Sequence, residues 1–206
     1  MEVNKLNAAY YSAFTPYEID LLLNDAQLAY LAEKTSNLQG YGVDWDNVVM
    51  NQLSPILVVQ EPVTPINNMV STANAPYKII SFIVDATKNN CSKTLSNCKI
   101  VKNQDSLGTT QISNFNWGRC IGYLSDKDII LKTDFTVNTC YVTYYRYPSQ
   151  VSIGGYMDIN GTVKTVVEWD FDDEVILEII KKAAMLAIES INPTLESKTY
   201  VEGLMN

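Results

Sequence analysis

Histidine is absent from all 206 residues. With it go Ser–His–Asp and Cys–His nucleophile systems, most proton shuttles near neutral pH and most zinc sites. Positive charge is scarce: 15 Lys and Arg stand against 23 Asp and Glu, a net charge of −8. No cluster of basic residues offers the grip on phosphate that nucleic-acid binders rely on. No apolar run approaches the roughly 20 residues of a membrane-spanning helix, so no membrane contact is expected. The chain does not open on a basic stretch followed by an apolar one, so no signal peptide is expected. The four cysteines, at 91, 98, 120 and 140, include no CxxC pair. Two disulfides would use all four, but without a secretory route free thiols are the expectation.

What is present suits a folded, weakly charged protein. Hydrophobic residues make up 47% of the chain, enough for a proper core, and charged residues only 18%. The polar surface therefore falls largely to Asn, Ser, Thr and Gln. The acidic balance favours solubility through self-repulsion, and such a surface is also one that DNA passes without sticking.

The plainest local signal is Phe14-Thr15-Pro16-Tyr17-Glu18-Ile19-Asp20-Leu21-Leu22-Leu23-Asn24-Asp25-Ala26-Gln27. Thr15 is placed to cap, Pro16 stands at the first helical position, and Glu18 closes a capping box. The spacing predicts a helix from Pro16 to about Leu38 with Ile19, Leu22, Leu23, Ala26, Ala29 and Tyr30 as its buried stripe. Glu18, Asp20 and Asp25 are then left to the surface, for contact or solvent. A short helix is expected over 3–12, and another over 48–53 capped by Asp44 or Asp46. Strands are expected at 56–59, 77–85, 129–131 and 135–147, with an extended connection over the proline-rich 60–76. Residues 86–118 read as a long loop or irregular hairpin. Asn160-Gly161 predicts a hairpin closed by a type I′ turn. Asp170 is expected to cap a last helix, with Ile176, Ile179, Ile180, Ala183, Ala187 and Ile191 buried, before Asn192-Pro193 stops it.

The fold expected is α+β. N-terminal helices (1–60) and a long C-terminal helix (169–192) pack as a helical base, with an antiparallel β region (77–168) inserted between them. All belong to one domain of residues 1–206, ending in an arm over 193–206 that holds Tyr200, Leu204 and Met205.

No group of residues earns a catalytic, cofactor or metal assignment. Asp170, Asp172, Asp173 and Glu174 lack the EF-hand spacing and read as helix-capping acids. Asp44 and Asp46 beside Trp45 could pass for a glycosidase pair, but capping explains them. The tyrosine-rich strand 141–147 reads as sheet packing, as a subunit interface through Tyr144 and Tyr145, or as a stacking platform for a sugar. A glycan-binding module using that strand with Trp45 or Trp117 is therefore the alternative to a structural role.

Two segments also carry a family likeness. The first is the opening stretch from Phe14. The second is Trp169-Asp170-Phe171-Asp172-Asp173-Glu174-Val175-Ile176-Leu177-Glu178-Ile179-Ile180-Lys181-Lys182-Ala183-Ala184 and onward to Glu189. Together they resemble the helices of head–tail connectors, or tail adaptors, of short-tailed, crAss-like bacteriophages. The resemblance implies a non-enzymatic virion protein that assembles in the host cytoplasm into a homo-oligomeric ring, usually of twelve copies. It implies as partners the portal protein and the next tail protein, with genomic DNA passing through the channel without sequence-specific binding. It implies a C-terminal segment that reaches a neighbour or the portal. The loop-rich 86–118 insertion departs from the pattern. Surface contacts are then expected at Glu18, Asp20, Asp25, Tyr144, Tyr145, Tyr200, Leu204 and Met205.

Overall fold

The computed structural model describes residues 14–36, 47–89, 91–95, 98–101, 120–125, 128–133 and 135–191. The fold is α+β, and the chain divides into two compact units, one of 1–52 with 148–206 and one of 53–147. The division differs from the expected 77–168 β region: strands begin at Leu57, and the hairpin around Asn160-Gly161 belongs with the helices. The helix expected over 3–12 and the arm over 193–206 lie outside the described residues.

In the first unit, helix α1 (Pro16–Ser36) starts as its sequence dictates. Glu18 accepts hydrogen bonds from the Thr15 backbone N–H at 2.7 Å and hydroxyl at 2.9 Å. Thr15 Oγ1 in turn accepts from Glu18 N–H at 3.3 Å. The Thr15 backbone N–H, then its hydroxyl, hold the Glu18 carboxyl below its ordinary pKa. The buried face of α1 is not the expected stripe. Ala26, Tyr30 and Leu31 are buried, but so are Asp20, Gln27 and Thr35, while Ile19, Leu22 and Leu23 are half-buried and Ala29 is exposed. After the short helix α2 (Asn47–Leu53), the last helix α3 (Asp173–Ile191) buries Val175, Ile179 and Ala183. Tyr30 lies edge-on to Phe171, just ahead of α3, at 6.2 Å, and the ion pairs Lys34–Glu178, at 3.3 Å, and Lys182–Glu33 link α1 to α3. Ile180, expected in the stripe, faces outward, 44% exposed.

In the second unit a 3₁₀ turn (Ser54–Ile56) leads into β1 (Leu57–Val63). Then come β2 (Met69–Ser71), β3 (Pro76–Lys88), β4 (Cys91–Leu95), β5 (Lys99–Val101), β6 (Ile121–Ser125), β7 (Asp128–Lys132) and β8 (Thr136–Arg146). They form two four-stranded sheets, ordered β1-β8-β3-β4 and β2-β7-β6-β5. Alternation in β8 sends Cys140, Val142 and Tyr144 inward. They join Phe82 and Val84 of β3, Val70 of β2, and Ile129 and Leu131 of β7 in one core that both sheets share. Two sequence expectations are corrected here, and one is narrowed to one of its alternatives. The connection over 60–76 contains half of β1 and all of β2, since Pro62 is tolerated on an edge strand. The 86–118 stretch opens as a β3–β4 hairpin turning at Asn89. The sheet is not wholly antiparallel, because β5 runs parallel to β6. The four cysteines are free. Burial pushes the Cys140 thiol up to about 12, and a hydrogen bond with Cys120, reinforced by burial, raises Cys98 too.

Candidate interaction surface

The polar residues buried on α1 explain one another through a segment more than 120 residues away. Asn24 closes a two-bond ring with the backbone of a single residue: Val151 N–H donates to Oδ1 at 2.9 Å, and Nδ2 donates to Val151 O at 2.9 Å. One turn on, Gln27 Nε2 donates to Ser149 O at 3.0 Å. One turn back, Asp20 accepts from Ile153 N–H at 2.9 Å and from the Tyr156 hydroxyl. Positions 20, 24 and 27 share a helix face, so α1 offers three polar side chains where a neighbouring strand would offer backbone. Burial alone would raise the Asp20 pKa. The hydrogen bonds from Tyr156, Ile153 and Ser152, with the charge of Lys164, outweigh it and hold the carboxyl below its ordinary value. The same bond to Asp20 raises the Tyr156 phenol. Asp170 completes the attachment by accepting from Ser149 N–H at 2.6 Å, and it stands ahead of α3 instead of capping it.

The anchored segment carries a hairpin of two short strands, β9 (Tyr156–Met157) and β10 (Val163–Lys164). Its turn is not type I′, which needs positive φ at both Asn160 and Gly161. Only Gly161 has it, at φ +78°. Gly161 N–H donates to Asp158 O at 3.0 Å, and Asp158 N–H to Thr162 O at 2.9 Å, a three-residue loop with a left-handed glycine at its end. Asp158 Oδ1 accepts from both Asn160 N–H, at 2.9 Å, and Thr162 N–H, at 2.8 Å. That side chain selects the longer loop. At the hairpin base Gly154, at φ +65°, is needed for space: a Cβ there would lie 2.5 Å from Val166 N.

The pairing sorts the hairpin's side chains by face. Tyr156 and Lys164 are partners on the side that reaches Asp20. Met157 and Val163 are partners on the opposite side, 64% and 66% exposed. Ile159 at the tip is 80% exposed, and Ile153, Val166 and Val167 add to the apolar surface. The same unit has a second apolar face on α3, where Leu177 (59% exposed) and Ile180 lie with Ala184 on the side away from Val175 and Ile179. Solvated helices are polar there.

The other expected contact residues fare differently. Glu18 and Asp25 are exposed, Glu18 tied to its own cap. Asp20 is buried against the 153–156 segment, because that backbone needs an acceptor. Tyr144 and Tyr145 are 0% and 1% exposed, which removes both from any surface a partner or sugar could touch. Tyr144 donates to Glu61 at 2.6 Å, an arrangement set by a bulge at Gln60. Tyr147 remains half-exposed, edge-on to Tyr77. Tyr200, Leu204 and Met205 lie outside the described residues, as do Asp44, Trp45, Asp46 and Trp117. Among the described residues, no cluster of His, Cys, Asp and Glu could hold a metal ion, and no helix is long and apolar enough to cross a membrane. The β unit also has an open, mostly polar groove of about 370 Å³ lined by Asp85, Ser92, Thr94 and Asn138.

No protein-family model matches the sequence, and no curated protein matches it.

Proposed function

We propose that this chain is a virion structural protein without enzymatic activity: a subunit of the ring that joins portal to tail in a short-tailed, crAss-like phage and forms part of the DNA-ejection channel. The observation that carries the reading is the pair of separate exposed apolar faces in the helical unit, one on the hairpin and one on α3. A chain this sparing in charge exposes such surface where it meets other proteins. The resemblance of the opening and closing helices supplies the setting. In that setting α1 and α3 form the helical base, the 193–206 arm reaches the portal or a neighbour, and twelve copies close the ring. The net charge of −8 suits a wall past which DNA slides. The glycan-binding alternative is weakened by the burial of Tyr144 and Tyr145.

Electron microscopy of the purified chain, alone and mixed with its portal, tests the reading. Rings of uniform diameter are expected. A chain that stays monomeric under both conditions would overturn it.

A further inference from the structure

We propose that the hairpin over 153–167 is a plug that seats on the outward flank of α3 in a second copy of this chain, a head-to-tail contact that builds the assembly. The inference rests on the ring reading above and names the surfaces that make the ring.

Three observations carry it. First, the hairpin is presented, not merely exposed. Strand alternation commits Tyr156 and Lys164 to the α1 side and Met157 and Val163 to the outside, while Asp20 and Asn24 fix the backbone leading into the hairpin and Asp158 fixes its turn. A surface fixed beforehand loses little freedom on binding.

Second, its size fits. Met157, Ile159, Val163 and Val166 are each more than 60% exposed. With Ile153 and Val167 they amount to apolar surface on the order of several hundred Å², the range that marks an interaction site. That is a large part of the about 800 Å² that one partner buries in a standard interface.

Third, there are two unlike faces in one unit. A hairpin-to-hairpin contact would stop at a dimer and leave Leu177 and Ile180 uncovered. A hairpin-to-α3 contact covers both faces in every copy and repeats until it closes, as a heterologous interface does.

The test is complementation. One variant carries Met157→Asp and Ile159→Asp, the other Leu177→Asp and Ile180→Asp. All four side chains are at least 44% exposed, so both variants should fold, and circular dichroism checks this. Wild type is expected to form rings by native mass spectrometry, and each variant alone to be monomeric. An equimolar mixture should give a one-to-one heterodimer and nothing larger, because one intact plug then meets one intact flank. As a second measurement that leaves both faces apolar, a photo-crosslinking residue in place of Ile159 should label the 173–191 peptide of another copy. Rings that survive either variant, a mixture that stays monomeric, or crosslinks that avoid that peptide would overturn the inference while leaving the ring reading intact. A wild type that is monomeric with and without portal would overturn both.

Discussion

The 13 residues of β3 find their hydrogen-bond partners in the strands on either side, β8 and β4. The 149–158 stretch of the helical unit, where regular pairing is limited to two-residue strands, finds many of its own in side chains: Asn24, Gln27, Asp20, Asp170 and Asp158. Both arrangements satisfy a buried or half-buried backbone, as folding demands, but they fail differently. A ladder shares its bonds among many residues whose side chains are free to pack. The attachment on α1 concentrates them in a few polar atoms, each of which a single substitution removes.

The comparison can be broken first in the β unit. Phe82, 2% exposed in the shared core, should be the most damaging truncation, with Phe82→Ala costing about 3–5 kcal/mol through lost burial and a cavity. Urea unfolding measures the loss, and hydrogen exchange should locate it in β3 and β8. Next, Asn24→Ala strips the side-chain partners from both the N–H and the carbonyl of Val151 and should cost about 1–3 kcal/mol. Its exchange signature should sit at 149–153 and leave the β ladder protected. Gln27→Met is the contrast. It gives up one bond, but it also removes Gln27 Oε1, which is buried with no partner among the described residues, so a change under about 1 kcal/mol is expected. If Asn24→Ala loosens both units equally, the comparison fails.

A pH series sharpens it. The Asp20 carboxyl is held below its ordinary pKa in the folded chain. Its contribution is therefore fully present above the unfolded value and is lost as pH falls through the folded one. Unfolding midpoints of the wild type should drop across that acid window, and Asp20→Asn should show a shallower drop there from a lower starting stability. Parallel acid limbs would show that Asp20 is not the group responsible. The most local effect belongs to the cap: Thr15→Ala should cost about 1 kcal/mol, read as faster exchange in the first turn of α1 only.

These contrasts also separate what the sequence discloses from what it conceals. The capping box was legible because its partners are three residues apart and each residue type has one job there. The strands at 77–85, 129–131 and 135–147 were legible because β-branched and aromatic residues alternate within them. Asp20 was misread because a carboxylate on an amphipathic helix is placed by helical period alone, and the peptide it serves lies 133 residues away. Tyr144 was misread because its phenol is paired by Glu61, brought to it by a bulge at Gln60 that no pattern of apolar residues announces. The hairpin turn was misread because Asn-Gly outweighed Asp158, whose side chain caps two amides and lengthens the loop. For the exposed apolar hairpin the signal was the alternation of Met157, Ile159, Val163 and Val167, which marks an apolar face without saying whether anything in the chain covers it.

Asn24 bonds the N–H and carbonyl oxygen of Val151, Gln27 bonds the carbonyl of Ser149, and Asp20 bonds the amide of Ile153. None of these bonds reads a side chain of the segment it holds. Those four bonds are made to what amino acids have in common, whereas the bonds that Ser152 and Tyr156 give to Asp20 depend on their side chains. At Ile153, held by its amide and 43% exposed, the side chain can change, and with it the face offered to whatever lies opposite, while that bond stays unaltered.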